Sequence, residues 1–353
     1  MKRILSILLC LLLCAQLGAR TRASSAADPE AGEKEVRYLE AMDTFMSLTA
    51  YGSHRTDALN AVEAEIRRLE ALLSVGRSES EISTLNRTGE TILSADSRTM
   101  VERATELYDE TGGCFDITVY PLMELWGFTS GNYRVPTDEQ LAKLLPAIGA
   151  DLLTYQSDTG KLTLAEGQAI DLGGIAKGYT SQRAMELYRA AGVTSGLVSL
   201  GGNVQCLGAR PDGSPWRIGI QDPWGVDGEM VAVVEIVNEA VITSGGYERY
   251  FVDEATGITY RHILDPQTGY PAESGLASVT IVSPDGTLAD GLSTALYIMG
   301  LDAATAYWRA HSDAFEAIFI DDAGELYVTE GLAASVTPFS ADAKPVVLPR
   351  KAS

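Results

Sequence analysis

Three short stretches carry side chains whose types and spacing could do chemistry. In Asp171-Leu-Gly-Gly-Ile-Ala-Lys-Gly-Tyr179 a lysine stands among glycines. A β-like run, Leu162–Leu164, and a polar turn, Ala165–Gln168, precede it. An amphipathic segment, Ser181–Ala191, follows, with Ala184, Met185, Leu187 and Tyr188 at helical spacing. The pattern predicts a strand, a glycine-containing turn and a helix start, where unpaired N–H groups and the positive end of the helix dipole gather. Lys177 in the first turn opposes that dipole, a conflict that an anionic ligand such as a phosphate would resolve. The plainer alternative is a glycine turn whose lysine reaches solvent, since neither the P-loop nor the dinucleotide glycine pattern is met.

The second stretch is Arg261-His-Ile-Leu-Asp-Pro-Gln-Thr-Gly-Tyr-Pro271, in which His262 ends a β-like run before the turn formers Asp265-Pro266 and Thr268-Gly269. Histidine is the side chain best suited to take a proton near neutral pH, although a hydrogen-bonded structural role explains a lone one more simply. The third is Leu288-Ala-Asp-Gly-Leu-Ser-Thr-Ala295, where Asp290 and Thr294 are four apart and share a helix face. A carboxylate with a hydroxyl suits Mg²⁺ that keeps some water and binds a diphosphate. In isolation the pair is explained by Asp290 answering the helix dipole and Thr294 bonding back to its own turn.

The elements that must position these groups alternate irregularly. Val36–Ala50 reads as a first strand and Ala58–Leu73 as a helix with Ala61, Ile66, Leu69 and Leu72 on one face. Ser78–Asn86 reads as a polar turn or short helix, and Asp96–Thr111 as a helix capped by Ser97 or Asp96. Pro136–Leu145 is helical and Ala150–Leu164 β-rich. Gly196–Val204, Trp216–Gln221, Met230–Ile236, Ala240–Gly246, Ala277–Val282, Ala314–Ile320 and Leu326–Thr329 read as strands. Tyr250–Tyr260 reads as a hairpin turning near Glu254–Gly257, and Leu288–Met299 as a helix. Without a regular βαβ alternation the fold class is α+β, a single large mixed domain over residues 36–340 between a linker, 28–35, and a tail, 341–353.

The 353 residues carry a formal charge of −21, which argues against nucleic acid or an anionic membrane surface as the main partner. An anionic substrate would therefore need a locally positive or metal-bearing site. Met1-Lys-Arg, the apolar run Ile4–Leu13 and the small residues that follow make an export signal, residues 1–27, too short for a comfortable membrane span. The expectation is an extracytoplasmic protein attached to the cell membrane as a lipoprotein or through an uncleaved anchor, although Leu13 before Cys14 fits the lipoprotein pattern poorly. Cys10 and Cys14 fall in that signal, leaving Cys114 and Cys206 for at most one disulfide. His54, His262 and His311 lie far apart in the chain, so a structural zinc site is not expected.

Taken in order, the chain resembles the ApbE family of FAD:protein FMN transferases, with a T-fold-like domain. The pieces that carry the likeness are Met42-Asp-Thr-Phe, Ser80-Glu-Ile-Ser-Thr-Leu-Asn86, Cys114-Phe-Asp-Ile-Thr-Val, Leu125-Trp-Gly-Phe128, Asp171–Tyr179, Leu200-Gly-Gly-Asn203, Thr243-Ser-Gly245, His262-Ile-Leu-Asp-Pro with Thr268-Gly, and Ala289–Ala295. The family often has Gly where Asp43 stands and commonly Ser where Gly173 stands. The resemblance implies Mg²⁺-dependent transfer of FMN from FAD to a Ser or Thr hydroxyl of another protein, releasing AMP. It implies that Asp290, Ser293 and Thr294 hold the metal with a backbone carbonyl near Gly174. Lys177, Asp171, Met42, Cys114, Phe115, Asp116 and Ile263 would contact FAD, and His262 would be the base. The implied acceptor is a membrane redox-complex subunit or an exported flavin-carrying domain with a Ser/Thr-Gly-Ala-Ser/Thr-like motif. The alternatives are a Mg²⁺-dependent FAD pyrophosphatase, with water as acceptor, and a non-enzymatic exported flavin-binding protein.

Overall fold

The chain enters as a hairpin, where the alternation over Val36–Ala50 predicts one strand. β1 (Lys34–Ala41) pairs with β2 (Thr44–Tyr51) across a two-residue turn. Met42 and Asp43 both take left-handed backbone, φ 50° and 56°, as the twist of a tight hairpin demands. Neither residue is the glycine or asparagine that usually announces such a turn, so the break is silent in the pattern. The computed structural model describes residues 30, 32–226, 228–340 and 344–351; the segment read as an export signal, residues 1–27, lies outside them.

The helix α1 (Arg55–Leu73) buries Leu59, Val62, Ile66, Leu69 and Leu73 rather than the stripe through Ala61 and Leu72. α2 (Glu81–Thr88) is capped by the Ser80 side chain, then come β3 (Glu90–Ile92) and α3 (Ala95–Glu110). Ser94, not Ser97 or Asp96, caps α3: its Oγ accepts the Ser97 N–H at the far end of hydrogen-bond range, 3.5 Å. α4 (Tyr120–Trp126), α5 (Asp138–Leu144), β4 (Thr154–Gln156) and β5 (Lys161–Thr163) complete an excursion that returns to α6 (Gly173–Ala190). Next come β6 (Gly196–Leu200), β7 (Asn203–Leu207), β8 (Trp216–Gln221), β9 (Met230–Ile236) and β10 (Ala240–Gly245). β11 (Tyr250–Val252) and β12 (Thr259–Arg261) form the expected hairpin. β13 (Leu276–Ser283), α7 (Gly286–Met299), α8 (Leu301–Ala310), β14 (Glu316–Asp321), β15 (Leu326–Thr329), β16 (Val336–Pro338) and β17 (Val346–Leu348) close the chain. β1 begins inside the segment read as a linker, and β17 lies in the segment read as a tail.

Nine strands make one sheet in the order β1-β2-β6-β7-β10-β13-β14-β15-β17, antiparallel except for the final pair. Both faces of its middle are covered, so alternate residues belong to different cores. On β10 and β14, Ile242, Ala317 and Phe319 face the helices α3 and α7, while Val241, Ile318 and Ile320 face a small sheet of β8, β9 and β16. The result is three layers, helices on sheet on sheet, the α+β class expected from the irregular alternation. β13 is buried along its whole length for the same reason.

Candidate active site

α6 begins within the Asp171–Tyr179 stretch, at Gly173, and not after it, so Lys177 stands in the second helical turn rather than the first. The carboxylate of Asp171 accepts the Gly173 N–H at 2.9 Å and so satisfies one of the helix's unpaired donors. The Asp171 N–H in turn donates to the Ile117 carbonyl, 2.8 Å, which ties this start to the Cys114–Val119 segment.

α7 packs directly on α6. The cap of α7 is Asp285, whose Oδ1 accepts the Leu288 N–H at 3.0 Å, so Asp290 is not needed to answer the dipole. Asp290 instead reaches across to the neighbouring elements. Its Oδ2 accepts the Gly178 N–H of α6 at 2.7 Å and its Oδ1 the Asn203 side-chain amide of β7 at 2.9 Å. Burial raises its pKa, opposed by the Lys177 charge and by those two donors. Thr294 does not bond back to its turn either: its hydroxyl lies 3.1 Å from that of Ser244, at the end of β10. Ser244 also meets Ser293, 2.8 Å, and Ser293 donates to the Asp290 carbonyl, 2.8 Å. Ser293 is fully buried and does not line the cavity; it braces the residues that do.

The cavity in front of this cluster has a volume of about 1340 Å³. Met42, Cys114, Phe115, Asp116, Asp171, Gly174, Lys177, His262, Ile263, Asp290 and Thr294 all line it, so all the residues proposed from the sequence except Ser293 converge on one space. Met42 is held there because its N–H donates to Glu70 Oε1 at 2.9 Å, and Glu70 is itself fixed by Arg77 at 3.0 Å. Burial pushes the Asp116 carboxyl up to about 6, against the lowering hydrogen bonds of Thr118. Cys114 and Cys206 are free thiols, so the disulfide left open by the sequence is not formed.

His262 follows β12 and is pinned through the Arg249 carbonyl, which accepts its backbone N–H at 3.0 Å and lies 3.2 Å from Nδ1. A carbonyl can only accept, so Nδ1 carries the proton and Nε2 keeps its lone pair. Phe128 meets the ring edge-on at 6.4 Å. Burial, then the positive charges of Arg249 and Lys177, pull its pKa down to about 4, so the ring is neutral and able to accept a proton at pH 7. The same two cations lower Glu248, although burial and the Asp290 charge carry it up to about 7. Lys177 and Arg249 thus supply the local positive charge that an anionic substrate needs in so acidic a chain.

One carboxylate beside hydroxyl groups fits Mg²⁺, which keeps water and takes further oxygens from substrate phosphates. No cluster of three or more His, Cys, Asp or Glu able to hold a metal occurs among the described residues, which argues against an all-protein cage.

A protein-family model described as the ApbE family matches residues 42–319. The chain belongs to the ApbE family. Its relatives in that family include the FAD:protein FMN transferase of Haemophilus influenzae, 31% identical over 318 residues that cover 86% of this chain and 89% of the relative. The ApbE protein of Thermotoga maritima has the same architecture, with a TM-score of 0.80 at 31% identity over 86% of this chain and 99% of that one. The flavin transferase ApbE of Vibrio cholerae gives 0.74 at 29% identity, covering 86% and 99% of the two chains. The ApbE likeness spans both faces of the cavity, from Met42 on the first hairpin to Thr294 on α7.

Asn203, Ser244, Glu248 and Arg249 were not assigned site roles by the sequence. Asn203 and Ser244 stand in glycine-containing motifs that the sequence does single out, but only the fold reveals that they face Asp290 and Thr294. Glu248 and Arg249 have no local signature; they enter because the turn after β10 folds back over the cavity.

Proposed function

We propose that the protein transfers FMN from FAD to a Ser or Thr hydroxyl of another exported protein, with Mg²⁺ bound and AMP released. The observation that carries this reading is the neutral His262, its Nε2 lone pair free, in one cavity with Lys177, Arg249 and the buried Asp290. A Ser or Thr hydroxyl is a weak nucleophile and needs a base. Its oxygen attacks the phosphorus of the FMN half, its proton passes to His262 Nε2, and the bridging P–O bond breaks with its electron pair leaving on AMP. Lys177 and Arg249 orient the diphosphate and offset its charge as AMP departs. Asp290 and Thr294, with a backbone carbonyl near Gly174, would hold the Mg²⁺, which supplies further charge neutralisation when bound. The basic start and apolar run at residues 1–27 support export and membrane attachment, and hence an acceptor outside the cytoplasm.

The test is mass spectrometry of an acceptor domain bearing the Ser/Thr-Gly-Ala-Ser/Thr-like motif, mixed with the protein, FAD and Mg²⁺. The expected result is a covalent FMN adduct, lost with EDTA and with Asp290→Ala. Free FMN and AMP beside an unmodified acceptor would make the protein a pyrophosphatase; intact FAD would leave a flavin binder.

A further inference from the structure

The mouth of the cavity is lined by rings that belong to none of the buried cores. Phe45 is 60% exposed, Trp224 56% and Tyr250 53%, and all three line the same cavity. They arise from three separate places: β2, the loop between β8 and β9, and β11. Tyr38 of β1 stacks on Phe45 with ring centroids 5.7 Å apart and 20° between planes, which carries the aromatic surface outward along the hairpin. Trp224 is presented by a built turn, its N–H donating to Asp222 Oδ1 at 2.9 Å while the Asp222 N–H reaches the Glu229 carbonyl at 2.9 Å. Tyr250 pairs with Arg261 across β11 and β12, one residue before His262, so the hairpin brings it to the same cavity rim as the base.

Large rings gathered at one opening mark an interaction surface, since aromatic residues are concentrated where proteins meet. The volume points the same way. Sites for one drug-sized molecule span about 300–1,000 Å³; this cavity, about 1340 Å³, is larger and opens at these exposed rings, so a loop of a second macromolecule can approach from that side. The charge of −21 disfavours a nucleic acid or an anionic lipid surface in that place.

We propose that Phe45, Trp224 and Tyr250, with Tyr38 stacked behind Phe45, form the docking surface for the acceptor protein, seating its hydroxyl-bearing loop over His262. This rests on the reading of the site as a flavin transferase. The rings grip the loop and exclude water, while the chemistry stays with the groups deeper in the cavity.

The experiment measures binding separately from transfer. The probe is an acceptor domain with the Ser/Thr-Gly-Ala-Ser/Thr-like motif whose acceptor residue is replaced by Val, titrated into the FAD-loaded full chain by calorimetry. The unaltered protein is expected to bind it, and Phe45→Ser/Trp224→Ser/Tyr250→Ser to bind it at least about tenfold more weakly, with FAD affinity unchanged. Trp224→Arg alone, in an exposed loop, keeps the test decisive if the triple variant loses its fold. Equal binding by both proteins, or none by the unaltered one, overturns the proposal. FAD affinity falling in step with acceptor binding overturns it too, by assigning the rings to the flavin nucleotide. Binding without any adduct on the intact Ser or Thr domain would sink the transfer reading and leave the docking surface standing.

Discussion

Gly178 is the point where α6 and α7 touch backbone to backbone, and Gly178→Ala tests whether that contact holds the site together. A Cβ there would lie 2.2 Å from the Gly286 carbonyl oxygen, 2.9 Å from its carbon and 2.5 Å from Asp290 Cβ. Main-chain atoms have no rotamer to retreat into, so the helices must part by about 1 Å to restore ordinary packing. Overpacking of this kind costs about 1–3 kcal/mol. Stretching the 2.7 Å bond from the Gly178 N–H to the Asp290 carboxylate adds a loss of similar size, about 1.5–3 kcal/mol for a bond to a charged group. Alanine's better helix propensity returns about 1 kcal/mol, which leaves a net destabilisation of about 1.5–5 kcal/mol. Displacing Asp290 by about 1 Å should also slow flavin transfer about a hundredfold. The assays are the guanidinium unfolding midpoint and the initial rate of adduct formation. Gly291→Ala is the internal comparison, because the close contact of its Cβ would be with a side-chain tip, Leu107 at 2.4 Å, rather than with main chain, and the Phe115 ring lies at an ordinary 3.6 Å. A Gly178→Ala protein with the unaltered midpoint and rate, or one no worse than Gly291→Ala, would refute the reasoning.

Further outcomes are expected at three positions, His262, Asp290 and Asp43. His262→Ala should slow transfer by about 10²–10⁴-fold while FAD affinity, measured by flavin fluorescence, stays close to that of the unaltered protein. Because the folded pKa of His262 is held near 4 against an ordinary value of 6.5, the acidic limb of kcat/KM should fall near pH 4. In that window the unfolded chain binds the proton more readily, so stability should decline as pH drops from 6.5 toward 4, and urea midpoints of His262→Gln should lack that component. Asp290→Asn puts an amide donor where the carboxylate accepts from Gly178 and Asn203; Mg²⁺ added after EDTA should restore adduct formation to the unaltered protein and not to the variant. Asp43→Val should cost about 1–2 kcal/mol in thermal unfolding because a β-branched residue strains the left-handed backbone, whereas Asp43→Gly, with φ of 56° at that position, should be tolerated.

The sequence makes the chemistry more legible than its framework. Side chains such as Lys177, His262 and Asp290 stand in glycine-rich or turn-forming surroundings that an ordinary core does not need, and the fold brings them to one cavity. What local reading misjudges is where elements begin. Gly173 and Gly174 look like turn residues by propensity, yet they form the first turn of α6, whose start the Asp171 carboxylate satisfies through the Gly173 N–H. The Met42–Asp43 turn is hidden because residues on both sides alternate in a way that also suits one long strand. Partners from distant segments, Asn203 on Asp290 and Ser244 on Thr294, are 87 and 50 residues away along the chain, beyond the reach of any periodicity. The departure at Asp43 finds its reason here as well: the position is left-handed, which glycine adopts freely and aspartate tolerates.

An open nine-stranded sheet has two bare margins, and each is a template on which another chain could add a strand. Neither margin of this one is inviting. Along β1 the sequence Lys-Glu-Val-Arg-Tyr-Leu-Glu-Ala sets charges at Lys34, Glu35, Arg37 and Glu40, and Arg37 is held by Glu35 at 3.1 Å and Glu63 at 3.3 Å. At the other margin β17 is only three residues long and lies between Pro345 and Pro349; neither proline has an N–H to offer a further ladder. β17 thus acts as a selvage: it finishes the edge of β15 and occupies the ladder another strand would use. Removing β17 would uncover the β15 edge, so Val346–Leu348 close that margin at a distance from the chemistry.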